Sequence, residues 1–144
     1  MNIDMLNRSR QLKKEYDDLL MRHDTLKAAV ENTVTVISLA PGHGQGVSRR
    51  LEDLETEILD LEKTIDKKCE ELMDAQNAVN NYINNNMHPP YSVILIRRYA
   101  YFQTWEQIAS ELNYSVPHCY RLHETALKMI VDVTPCYVDD KTNK

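Results

Sequence analysis

The chain has 144 residues, and 17 Lys and Arg stand against 22 Asp and Glu for a formal charge of −5. With three glycines, five prolines, one Trp and one Phe beside well-filled aliphatic and charged classes, the composition favours helices. It excludes an all-β fold, a disulfide-dense scaffold and a disordered chain. Cys69, Cys119 and Cys136 show no C-x-x-C spacing, no apolar stretch is long enough to span a bilayer, and Met1–Asp4 lacks a signal-peptide pattern. A reduced, cytoplasmic setting is therefore expected. The acid is unevenly spread: residues 48–88 hold five basic and ten acidic side chains, whereas the segments on either side balance to zero.

The first predicted element is a helix over about 2–33. Leu12, Tyr16, Leu19, His23, Leu26 and Val30 alternate spacings of four and three, the pattern of one buried stripe. A Gly/Pro loop is predicted over 34–47, where Pro41 ends the helix and all three glycines permit a reversal. A second helix is predicted over 48–84, with Ser48 as its N-cap. Val47, Leu51, Leu54, Ile58, Leu61, Ile65, Lys68, Leu72, Ala75, Val79 and Tyr82 keep the heptad spacing, with Lys68 the one polar exception. Such a stripe needs a partner. An antiparallel coiled-coil hairpin with the upstream helix is the economical arrangement, and a parallel dimer of the longer helix is the alternative. Residues 1–86 are thus read as a coiled-coil hairpin. Leu51, Leu54, Ile58, Leu61, Ile65 and Leu72 are its candidate oligomerisation residues.

The asparagines at 80, 81 and 84–86, followed by Met87-His88-Pro89-Pro90, predict a hinge at 87–90 that separates two cores. Beyond it, three short helices are expected over 91–132, with a flexible tail at 133–144 because Pro135 forbids much more helix. The first runs about Tyr91–Phe102. The second opens on the capping box Thr104-Trp105-Glu106-Gln107. Asn113 can take the left-handed turn, and Ser115 caps the third helix, with Tyr114 and Cys119 as its staple. Small Ala109 and inward Cys119 at the crossing, with a short turn between, describe a helix-turn-helix.

The run Thr104-Trp105-Glu106-Gln107-Ile108-Ala109-Ser110-Glu111-Leu112-Asn113-Tyr114-Ser115, continued by Cys119-Tyr120-Arg121-Leu122-His123, resembles sigma-70 region 4. With Arg97-Arg98-Tyr99 upstream and the hairpin before it, the chain resembles more closely the small phage-encoded regulators that carry this module behind a coiled coil. The resemblance spans about Leu12 to Ile130, and its C-terminal half is the specific part. It implies an all-α, non-enzymatic, sequence-specific DNA-binding regulator of phage or prophage genes. It also implies a place in the bacterial host's cytoplasm and contact with host RNA polymerase. One departure is Val116-Pro117-His118, where region 4 usually carries several charged residues.

Val116, Pro117, His118, Tyr120 and Arg121 are the candidate base-edge residues at the start of the third helix, Arg121 for a guanine and Val116 or Pro117 for a thymine methyl. Thr104, Ser115, Arg97, Arg98 and Lys128 are the candidate phosphate contacts, with Arg98 also able to pair with Glu106 or Glu111. Residues 89–131 hold only four basic against three acidic side chains. A single module should therefore bind double-stranded DNA weakly, and a homodimer through the coiled-coil half is expected. Leu20, Leu59, Cys69, Met73 and Ile83 lie off the heptad stripe and widen the apolar face toward a second chain.

Two other function classes fit the same residues: a module that docks on RNA polymerase or a phage protein without reading DNA, and a small-terminase-like DNA-packaging component. No catalytic set, cofactor or membrane contact is expected. Cys119 and His123 are four apart, but they lack further local ligands, so no metal is expected. Gly42-x-Gly44-x-Gly46 lacks the Lys-Ser/Thr of a phosphate loop.

Overall fold

A computed structural model describes residues 2–39 and 44–142, which form five helices and no strand. Two long helices, α1 (Asn2–Leu39) and α2 (Gly44–Asn86), precede the short α3 (Tyr91–Tyr99) and α4 (Trp105–Leu112), and α5 (Val116–Thr142) follows. Among the described residues no helix is long and apolar enough to cross a membrane.

α1 and α2 pack together antiparallel. Glu15 pairs with Lys68 at 2.9 Å, Arg22 with Glu57 at 3.2 Å and His23 with Glu62 at 3.2 Å, so rising numbers on α1 meet falling numbers on α2. The heptad stripe is the packed face: Leu54, Leu61 and Leu72 are buried, and Leu51, Ile58 and Ile65 are half-buried. Lys68 keeps its place in the stripe because its ammonium reaches outward to Glu15 and Glu71, both of which favour its charged form.

Both long helices exceed their predicted bounds. α1 continues through the β-branched run Val34–Ile37, with the Thr33 and Thr35 hydroxyls donating to the carbonyls of Ala29 and Glu31. β-branching lowers helix propensity only slightly. α2 begins at Gly44, so Ser48 lies inside it and does not cap it. Of the predicted 34–47 loop, residues 40–43 lie outside the described residues and the rest is helical. α3 is shorter than expected because Phe102 takes a left-handed backbone, φ 56°, after the helix closes at Tyr99. α5 runs on through Pro135, which forfeits one backbone hydrogen bond and does not end the helix. The expected flexible tail is therefore helical to Thr142, and residues 143–144 lie outside the described residues.

The main correction concerns the hinge. The chain divides into one compact unit made of Met1–Lys13 with Leu72–Lys144, and another made of Lys14–Glu71. In the first unit Leu6 of α1, Val79 and Ile83 of α2 and Met87 just after it form one core with Leu95, Tyr99 and Ala100 near α3 and Ala126 and Ile130 of α5. Met87, placed in the predicted hinge, is buried in it. Ile83, expected to face a second chain, has no exposed surface. Three short helices bury too little apolar area to stand alone, so the terminal turns of both long helices complete their core.

Two polar side chains join the same unit. The buried Ser9 hydroxyl lies 2.9 Å from both the Leu6 and Tyr99 carbonyls, and the Gln76 amide donates to the Ala100 carbonyl at 2.6 Å. They supply partners to carbonyls at the end of α3 that its own helix leaves open. A second core, Ile94, Ile108, Ala109 and Cys119, binds α3, α4 and α5, with Trp105, Leu112, Val116 and Leu122 at its margin.

Candidate functional site

The α4–α5 corner is built from local chemistry. Thr104 caps α4: its hydroxyl accepts from the Gln107 backbone N–H at 3.2 Å, and the Gln107 side chain accepts from the Thr104 N–H at 2.9 Å. α4 ends at Asn113, φ 58° and ψ 38°, where the polar side chain lowers the cost of the left-handed backbone. The Tyr114 N–H returns to the Ala109 carbonyl, and Ser115 Oγ accepts from the His118 N–H at 3.2 Å to open α5. Only Asn113–Ser115 separate the two helices. Ala109 is 5% exposed and Cys119 0%, which allows a close crossing, and burial pushes the Cys119 thiol pKa up. The Tyr114 ring meets His118 edge-on at 4.8 Å.

One face of α5 is left open. Pro117, Tyr120, Arg121 and Lys128 are exposed on its first turns, and so is Glu124. Val116 is half-buried against the second core, so its methyls serve the fold first. Thr104 and Ser115 lie exposed at the two helix starts, each with its oxygen engaged in a cap.

The arginine pair divides its work. Arg97, not Arg98, forms the ion pair with Glu111, and it also donates to the Gln103 side chain at 3.2 Å. Arg98 lies 4.6 Å over the Trp105 ring and donates to the Gln103 carbonyl at 3.0 Å. Burial and the nearby Arg10 lower its pKa from the usual value.

The positions of His123, Arg10 and Lys13 around the aromatic rings were missed in the sequence. Trp105 packs on Tyr120 at 4.6 Å and meets His123 edge-on at 4.9 Å, while His123 Nε2 is 2.8 Å from the Tyr99 hydroxyl. Arg10 of α1 sits 6.0 Å from the Tyr99 ring centre, and Lys13 sits 5.9 Å from that of Phe102. Burial first, then Arg98 and Arg10, lower the His123 pKa. The available signal was Ser9: a polar residue three positions from both Leu6 and Leu12 marks a turn of α1 that packs on something other than the heptad partner. No group of three metal-ligating side chains occurs among the described residues; Cys119 lies in the core and His123 engages Tyr99.

No protein-family model, curated protein or solved structure matches this chain.

Proposed function

We propose that the chain is a sequence-specific DNA-binding regulator in which α4 and α5 act as a helix-turn-helix and α5 enters the major groove. The observation that carries this reading is the α4–α5 corner. A three-residue turn through left-handed Asn113, a close crossing at Ala109 and Cys119, and an open face bearing Pro117, Tyr120 and Arg121 are what groove insertion requires. The resemblance to phage regulators extends the reading to phage or prophage genes and to contact with host RNA polymerase.

The working form under this reading is a homodimer, since one module carries few free cations and two linked modules gain by effective concentration. Leu54, Leu61 and Leu72 are buried within one chain, so the second copy would use what remains exposed: Leu20 and Met21 of α1 and Leu59 of α2. A groove of about 450 Å³ between Val30, Glu31, Glu55, Ile58 and Leu59 supports a contact there. Sedimentation equilibrium at the monomer mass, with DNA binding intact, refutes the dimer.

Arg121→Ala should weaken binding to the preferred site by about 1–3 kcal/mol and relax its sequence preference. Lys128→Ala should weaken all duplexes alike and flatten the salt dependence. One observation favours docking on RNA polymerase or a phage protein instead: Arg97 and Arg98 are both engaged within the chain. A low-salt titration that shows no preference among duplexes, with and without polymerase, decides for that second reading.

A further inference from the structure

At about 3.6 residues per turn, Pro117, Arg121, Glu124 and Lys128 fall within a sector of about 60° on α5, on the side away from the buried Cys119, Ala126 and Ile130. All four are exposed. A surface that meets Arg121 therefore meets Glu124 as well. Glu124 follows Arg121 by three residues and precedes Lys128 by four, the two spacings at which opposite charges pair along a helix. Among the described residues it forms an ion pair with neither. Thr125, beside it, turns its hydroxyl back to the Arg121 carbonyl at 3.0 Å. Within the chain the carboxylate favours protonation of the adjacent His123, yet burial and two arginines lower that ring's pKa. An ionised carboxylate only accepts hydrogen bonds, and phosphates repel it. On a face laid against DNA, Glu124 is tolerated where a base edge donates to it.

We propose that Glu124 is a specificity-determining residue of α5, which accepts from the N4 amine of a cytosine about one or two base-pair steps from the guanine taken by Arg121. This inference rests on the DNA-binding reading above and names a feature of its target. Two bases offer amine donors in the major groove, cytosine at N4 and adenine at N6. Adenine sets its N7 acceptor beside N6, an arrangement that suits an amide and repels a carboxylate. Cytosine has no such acceptor, so cytosine is the base that Glu124 selects. Arg121 and Glu124 stand about 4.5 Å apart along the helix axis, against a base-pair rise of about 3.4 Å, which fixes the spacing for a helix lying along the groove. The same carboxylate weakens every other register, because without a matching amine it faces acceptor edges and phosphates.

The test is selection from a library of random duplexes by the full chain. It is run at about 50 mM salt, to strengthen binding, and about pH 7.5, above the imidazole range. The wild-type site should hold a cytosine near the guanine that Arg121→Ala ceases to require. E124Q should lose about tenfold or more of the discrimination for that cytosine and shift toward adenine, while keeping the guanine. It should also bind unrelated duplexes more tightly, since one negative charge is gone. E124D keeps the charge but draws the carboxylate back by one methylene, so it should lose the cytosine without that gain. A merely electrostatic role for Glu124 would not separate these two variants. Near-ultraviolet circular dichroism of Trp105 confirms that each is folded. A selected site without such a cytosine, or folded E124Q with the wild-type base preference, overturns the assignment. If Arg121→Ala still loses its guanine in that case, the groove reading stands. A wild-type chain that selects no sequence overturns both.

Discussion

Replacing Ile83 by Ala tests whether the end of α2 belongs to the same core as the three short helices. Ile83 has no exposed surface and lies with Leu6, Leu95, Tyr99, Ala126 and Ile130. The substitution removes three carbons. At about 0.8 kcal/mol for each buried methylene, the transfer term alone is about 2.4 kcal/mol. The residual cavity adds to this, since four helices hold the walls apart, and a total of about 3–4 kcal/mol lies within the usual range for such changes. With a urea slope of about 2 kcal/mol/M, the midpoint should fall by about 1.5–2 M. The assay is urea unfolding followed by Trp105 fluorescence, the chain's one Trp, alongside far-ultraviolet ellipticity. Trp105 packs on the second core, which shares α3 and α5 with the first, so its midpoint should move with the loss at Ile83. A Trp105 midpoint equal to that of the wild type, with only helical signal lost early, would refute the shared core and restore the hinge at 87–90.

Two further outcomes follow from the same structure. Gly46 lies inside α2, and a β-carbon there would meet nothing within 4 Å; Gly46→Ala should raise stability by about 0.5–1 kcal/mol, and a lower melting temperature would argue that α2 does not begin at Gly44. His123 faces Tyr99 and Arg98 of α3, Arg10 of α1 and Glu124 of its own helix, and burial with the two arginines lowers its pKa. The folded state thus prefers the neutral ring. The stability this contributes is complete above the unfolded value of about 6.5 and is lost as pH falls through the folded pKa. Urea midpoints measured between pH 7.5 and 5 should fall more for the wild type than for His123→Gln, and equal pH dependence in both would remove His123 as a source.

Local chemistry was readable at the α4–α5 corner and along the heptad stripe, where its determinants lie within a few residues of one another, though Ser48 did not cap α2. The alternation at Leu54, Ile58 and Leu61 specifies a helix with one apolar stripe. Thr104 with Gln107, Asn113 at the turn and Ser115 before α5 specify a corner, because a cap is a bond between neighbours in sequence. Of the candidate base-edge residues, Pro117, Tyr120 and Arg121 are exposed on α5, whereas His118 is half-buried. Val116 is half-buried as well, since whether its methyls face the core or the surface depended on where Trp105 and Leu112 came to rest.

What only the tertiary structure decided depends on residues far apart in the chain. A heptad stripe states that a face must be covered, not by which residues, so Leu6 and Ile83 could not be assigned to the α3–α5 core from periodicity. The Ser9 hydroxyl reaches a carbonyl 90 positions away, and the Gln76 amide reaches one 24 positions away. The choice of Arg97 over Arg98 as the partner of Glu111 followed from the side of α3 on which α4 packs. Nothing in the sequence marks Arg10, and only the docking of that helix turn on Tyr99 set it near Arg98. Sequence settled the apolar stripes of the long helices and the starts of α4 and α5. The need of a small three-helix unit for more buried area decided what those faces met.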